Sequence, residues 1–246
     1  MKVTRLIISF IFMTLFSQNS NAQAVDDWLN ENAILDIFHV ITGPHSTRDE
    51  VMDFLDNEYF PAAENAYPET LQLHLEGIEG ARKGHHAKFW IFASPEVRES
   101  YFPKDKEATE KFRSYQKKFN INVSTNKMIE IFRNWDWTYK TDWRIISKTD
   151  AEESLTDIKG KELDVHHVML EYKGDGTKIE AELLKLIAGK DLPNSQFFIL
   201  LGDRDMRVGG YAILELHKTG ESNRDLLENS VIPMEKELFS SYHIVD

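Results

Sequence analysis

Apolar and polar residues alternate without a break from Leu71 to Glu76, with Leu71, Leu73 and Leu75 on one side and Gln72, His74 and Glu76 on the other. A period of two is that of a strand with two unlike faces. Gly77, Gly80 and Gly84 follow, and Ala87 to Ala93 then reads as a returning strand. Upstream, Ile34 to Thr42 is rich in β-formers. Between these strands Ser46-Thr47-Arg48-Asp49-Glu50 has the form of a capping box, and Val51, Phe54, Leu55 and Tyr59 supply the apolar positions of a helix in a region bounded by Pro61 and Pro68. Ser94-Pro95-Glu96 starts another helix, with proline at the first helical position, where its missing N–H leaves nothing unpaired. The order is β-α-β-β-α.

That order occurs twice. Leu35-Asp36-Ile37-Phe38-His39-Val40 returns as Leu163-Asp164-Val165-His166-His167-Val168, displaced by 128 positions. Gly77, Arg82, Gly84 and Ala87 return as Gly202, Arg207, Gly209 and Ala212, all displaced by 125. A period of that length marks two copies of one domain-sized unit, not a solenoid of short repeats. The second copy reads as a strand from Leu163 to Tyr172, a helix from about Lys178 to Ala188, strands at Gln196 to Leu201 and Tyr211 to His217, and a last helix from about Ser222. The division that follows is residues 25–119 as the first half, 120–162 as a connecting region and 163–246 as the second half. The connecting region has no counterpart in either copy. It is expected to hold a helix, a short strand with the alternating aromatics Trp135, Trp137 and Tyr139, and an acidic linker at Asp150-Ala151-Glu152-Glu153.

A β-α-β-β-α unit is a ferredoxin-like half with helices on one sheet face and the other face bare. Apolar sheet faces must be covered, so the expected fold class is α+β: two tandem ferredoxin-like units packed sheet to sheet as an intrachain α/β barrel. Ala81-Arg82-Lys83-Gly84 followed by Trp90-Ile91-Phe92, with Tyr101-Phe102-Pro103 after the strand, carries a resemblance. The chain is similar to a fused pair of dimeric α/β-barrel domains. That superfamily includes NIPSNAP-type proteins, small antibiotic-biosynthesis-type monooxygenases, muconolactone isomerases, rhamnose mutarotases, chlorite dismutases and dye-decolorising peroxidases, and these motifs look nearest to the NIPSNAP-type and exported members. The resemblance implies fold more firmly than function, since one fold hosts many chemistries.

The amino terminus changes the picture of where the protein works. Lys2 and Arg5 precede the uncharged run Leu6 to Phe16, and Ser17 to Gln23 then offers small residues for cleavage after Ala22 or Ala24. This is the plan of a secretory leader over residues 1–24. Its apolar run is too short for a bilayer that needs about 20 helical residues. The expected protein is soluble and exported, periplasmic or secreted, and sequencing of its mature form should read Gln23 or Val25 first. The chain has no cysteine, which excludes disulfides, zinc–thiolate and iron–sulfur sites and thiol catalysis. A formal net charge of −12 repels nucleic acid and anionic lipid. A small organic ligand is the expected partner, with a homodimer as a further expectation and no membrane insertion.

Candidate chemistry follows from strand alternation, with a cavity expected between the two sheets. If the leucine face of Leu71, Leu73 and Leu75 packs on helices, Gln72, His74 and Glu76 point inward, opposite Phe197, Ile199 and Leu201 of the other copy. His74 and Glu76 share a strand face and form a candidate acid–base pair. The alternative is a solvated edge strand. By the same elimination His86, Trp90, Tyr211 and Glu215 join Gln72 as expected ligand-binding residues, although aromatic strand residues commonly serve as core. His39 and His167 occupy the same place in the two copies, either as core histidines or as proton carriers facing each other across the cavity. His85-His86 and His166-His167 are adjacent on strands, so the two members of each pair project to opposite faces and cannot share an ion. No metal is expected. Haem-binding relatives take a proximal histidine from a helix, which this pattern does not supply, and no cofactor is expected. Two functions remain open besides a filled structural core: an exported small-molecule-binding or accessory protein, and a cofactor-independent isomerase or monooxygenase-like enzyme.

Overall fold

The computed structural model describes residues 28–41, 47–63, 66–104, 106–121, 134–136, 141–150, 155, 158–169, 176–187 and 194–245. The stretch expected to be a leader, Trp137 and Tyr139, and most of the expected acidic linker lie outside these residues.

The strand β1 (Ile34–Ile41) leads to helix α1 (Arg48–Phe54), a π-helical turn (Leu55–Tyr59) and α2 (Phe60–Ala63). Thr47 and Glu50 close the capping box read in the sequence. Strands β2 (Thr70–Gly80) and β3 (His86–Phe92) form a hairpin, followed by α3 (Pro95–Tyr101), capped by Ser94, and α4 (Glu110–Lys118). Two strands then fall in the region expected to connect the halves: short β4 (Asn134–Asp136) and β5 (Thr141–Lys148). The remainder runs β6 (Glu162–His167), α5 (Gly176–Ile187), β7 (Ser195–Asp205), β8 (Tyr211–His217), α6 (Arg224–Glu228), a 3-10 turn (Lys236–Leu238) and β9 (Ser240–Ile244).

Eight of these strands close an antiparallel barrel in the order β1-β3-β2-β9-β6-β8-β7-β5 and back to β1, with β4 an extra partner on the far end of β1. The barrel divides into two runs, β5-β1-β3-β2 and β9-β6-β8-β7, so that β5, from the region expected to connect the halves, joins the strands of the first. β5 and β9 each end one of these runs, as its fourth strand in chain order, and each pairs with a strand of the other run, β7 and β2 respectively.

Alternation along the strands sorts side chains into one shared interior and two outer layers. The interior holds Leu35, Leu73, Leu75, Phe89, Ile91, Trp143, Leu163, Val165, Phe198, Leu200, Leu214 and Tyr242, so a barrel of eight strands is largely filled by its own side chains. Outside the first half, Ile34, Trp90 and Phe92 pack under Val51, Phe54, Leu55, Tyr59 and Tyr101 of the helices. Outside the second, Phe197, Ile199 and Ile213 pack under Ile179, Leu183 and Ile187 of α5. This reverses the face assignment read from β2: its leucines turn into the barrel, and Gln72 and His74 lie beneath the helices. The reason is that both faces of a closed, helix-covered sheet are buried, so a polar stripe does not identify the inner face. The helical segment over β2 also carries polar partners for it, Asp56 and Tyr59.

Candidate functional site

The interior is not filled everywhere. At one end a cavity of about 360 Å3 opens among Ile37 and His39 of β1, Thr141 and Trp143 of β5, Val165 and His167 of β6, and Ser240 and Tyr242 of β9. Ala81 and Arg82 of the β2–β3 turn, with Glu237 and Leu238 of the 3-10 turn, complete its lining. Each strand contributes two inward residues at positions i and i+2, so the adjacent pairs β1–β5 and β9–β6 present two walls that face each other across the barrel.

Both histidines singled out by the repeat line this one cavity, and each meets an aromatic residue of the other half. His39 Nε2 lies 2.6 Å from the Tyr242 hydroxyl, with the rings stacked at 5.8 Å. His167 meets the Trp143 ring at 5.5 Å. Burial pushes the Tyr242 phenol up, which keeps its proton on. Burial, with the nearby Arg207 guanidinium second, pushes the His167 imidazole down to about 3, so it is neutral at physiological pH. The His39–Tyr242 contact has two forms. In one, Nε2 accepts the phenolic proton. In the other, Nε2–H donates to the phenolic oxygen and the O–H is released toward whatever fills the cavity.

The remaining sequence candidates are placed elsewhere. His74 is buried on the outer face of β2, stacked on Phe60 at 5.2 Å, with Nδ1 3.6 Å from Asp56 and Nε2 3.4 Å from His86 Nδ1. Gln72 accepts from the Tyr59 hydroxyl at 3.4 Å, and Glu76, half-buried, stands opposite His86 in the β2–β3 register. Trp90 belongs to the aromatic layer under the helices, stacked on Phe92 at 4.9 Å, and Tyr211 packs beside the α5 layer. Glu215 is wholly buried on the outer face of β8, where its carboxylate accepts from Ser195 Oγ at 2.7 Å and from Asn223. None of these seven residues lines the barrel cavity.

Sequence reading missed Tyr242 and Trp143. Both sit on the fourth strands, and a signal was present: Thr141, Trp143 and Ile145 alternate with Asp142, Arg144 and Ile146, as Ser240, Tyr242 and Ile244 alternate with Ser241 and His243. The hairpin arginines differ in use. Arg207 binds Glu235 and donates to the Val168 carbonyl at 2.9 Å, whereas Arg82, also buried, reaches the cavity wall.

No family model matches the chain, and no curated protein matches it in sequence. Solved structures do resemble it. One is a putative monooxygenase from Fusobacterium nucleatum, at 9% identity and a TM-score of 0.53 over 89% of this chain and 94% of that one. Another is a putative chlorite dismutase, at 8% identity and a TM-score of 0.51 over 88% and 96%. A third is an anthrone oxidase-like protein, at 9% identity and a TM-score of 0.50 over 88% and 93%. At such identities the likeness is one of fold: this chain shares an α+β fold with these structures, built here on a closed eight-stranded antiparallel barrel. Among the described residues no helix is long and apolar enough to cross a membrane.

Proposed function

We propose that the barrel cavity is the working site, and that it takes a small organic molecule on which His39 and Tyr242 act as a proton-transfer pair. The supporting observation is the 2.6 Å contact between His39 Nε2 and the Tyr242 hydroxyl in the cavity lining. Acid–base groups act at hydrogen-bond distance from the proton they move. The volume of about 360 Å3 falls within the range of about 300–1,000 Å3 typical of small-molecule sites. Trp143 offers a flat apolar wall and Arg82 a guanidinium for a carbonyl or anionic oxygen. A compound with an acidic C–H beside a carbonyl suits this lining: with the Tyr242 O–H turned from Nε2 to the carbonyl oxygen, the unprotonated His39 Nε2 takes the carbon-bound proton, and the Tyr242 O–H or Arg82 meets the enolate oxygen. The names carried by the Fusobacterium structure and the anthrone oxidase-like structure lean toward an enzyme. The second reading is a carrier or accessory protein that holds its ligand in the same cavity.

One assay separates the two, with the enolisable ketone anthrone as probe. The full chain should speed exchange of the methylene protons for solvent deuterium, read by mass spectrometry. His39→Gln and Tyr242→Phe should each lower that rate by about 100-fold or more. Probe binding without exchange above the buffer rate would leave the carrier. Neither binding nor exchange would remove the cavity as a site for such ligands.

We infer further that the two halves are copies of one unit joined in a single chain. Their shared strand order supports this, and so do their β-hairpins. Gly77 and Gly202 each exchange backbone hydrogen bonds with the same partners, His85 and Gly84 in one hairpin and Gly210 and Gly209 in the other. Whether the first half alone builds a barrel with its own copy is the test. The NIPSNAP-type likeness and the export reading rest on the sequence pattern, and a homodimer is not needed to close this barrel.

A further inference from the structure

Four ligand-type side chains stand together on the outer face of the second half, away from the cavity. Asp164 and His166 are two apart on β6, Glu215 and His217 two apart on β8, and Asp164 is directly opposite Glu215. All four are buried, with 0–2% of their surface exposed. One ligand atom from each of Asp164, His166 and Glu215 lies within 4.8 Å of the others, and His217 Nε2 is 3.4 Å from Asp164 Oδ1.

Their hydrogen bonds point outward, away from the space between them. Ser222 Oγ donates to Asp164 Oδ2 at 2.6 Å, and Ser195 and Asn223 hold Glu215. The Lys218 carbonyl, 2.8 Å from His217 Nδ1, fixes the proton on that nitrogen and leaves Nε2 facing Asp164. Asp164 Oδ1 and His217 Nε2 face each other, and His166 Nε2 is left buried with no hydrogen-bond partner. Buried polar atoms without a partner are rare, and one beside two buried carboxylates calls for an occupant. We propose that Asp164, His166 and Glu215 bind one divalent first-row transition ion, with His217 an outer partner of Asp164. Two carboxylates balance its charge, His166 adds a neutral imidazole, and mixed nitrogen and oxygen donors suit Zn2+, Mn2+ or Fe2+. Bond lengths of about 2.0–2.2 Å draw the three side chains inward on loading. Ser195, Ser222, Asn223 and His217 are the outer partners that orient such ligands.

A proton is the competing occupant. Contact with Asp164 and the Lys218 carbonyl outweighs burial and pushes His217 up to about 9, so an imidazolium would satisfy the His217–Asp164 gap. It leaves His166 Nε2 bare. The corresponding register positions of the first half are Asp36, Phe38, Trp90 and Phe92, which retain the aspartate alone and fill the rest with aromatic core.

The test uses the full chain, free of any histidine tag and stripped with chelator, titrated with Zn2+ by calorimetry and with Co2+ by visible absorption. One equivalent should bind, Co2+ should show ligand-field bands, and the melting temperature should rise with the ion. His166→Gln should weaken binding by at least about 100-fold and abolish the bands while leaving the fold of the metal-free chain intact by circular dichroism. Asp164→Asn should do the same; if it fails to fold, His166→Gln decides alone. His39→Gln should bind the ion like the wild type, which keeps this result separate from the cavity's. No stoichiometric uptake, or equal uptake by His166→Gln, overturns the proposal.

Discussion

His74 illustrates how a polar side chain is used when a helix covers its strand face. Its ring is held between Phe60 and His86, with Asp56 beside Nδ1. His74→Ala removes an aromatic pair worth about 0.5–1.5 kcal/mol and leaves a gap under the π-helical turn, so we expect a loss of about 1–3 kcal/mol in urea denaturation. Probe binding in the barrel cavity should stay within about twofold of wild type, since surfaces more than about 7–10 Å apart act independently. A loss of cavity binding at unchanged stability would restore His74 to the site. The alternation that marks His74 was legible in the sequence, but its direction was not, because burial on both sides of a closed sheet erases the contrast that tells inside from outside. His39 and His167 were legible as a pair because a repeat marks equivalent positions directly. Their aromatic partners were not, since they come from strands far away along the chain.

The hairpins are the elements in which sequence and structure agree most closely. A Cβ on Gly77 would stand 1.9 Å from the Arg82 carbonyl oxygen, and one on Gly202 would stand 2.0 Å from that of Arg207. Neither backbone can yield without breaking the hairpin, so Gly77→Ala and Gly202→Ala should each destabilise by about 2 kcal/mol or more, toward the upper end of overpacking costs. Gly84 is glycine for another reason. Its φ is +79° and an added Cβ meets nothing within 4 Å, so Gly84→Ala should lose only the left-handed penalty of about 1–2 kcal/mol. Denaturation midpoints of the three variants check the order; equal effects would mean the close approach is relieved by local movement. The fourth strands were the elements missed. β9 spans only Ser240–Ile244, and β5 sits in a region with no recognisable partner pattern in the other half, so their role is visible only once the barrel is closed.

At the scale of the molecule, two seams join the halves, β2 against β9 and β5 against β7. Arg204 of β7 reinforces the second, donating to the Phe102 carbonyl at 2.9 Å and pairing with Glu99, and Arg224 meets Glu79 beside the first. Residues 28–158 alone would leave the outer edges of β2 and β5 open, and unpaired edges seek partners. If the halves are equivalent, those edges complement each other, so this fragment should form a dimer by light scattering, with β2 of each copy on β5 of the other. A monomer with cooperative unfolding would show that closure is not what stabilises the half. In a barrel built from two identical chains every substitution appears twice, so each pocket residue must satisfy both of its two-fold-related settings at once. Carrying both halves on one chain removes that constraint. One half can lay a tyrosine against His39 while the other lays a tryptophan against His167, and each position is free to drift under a single selective demand.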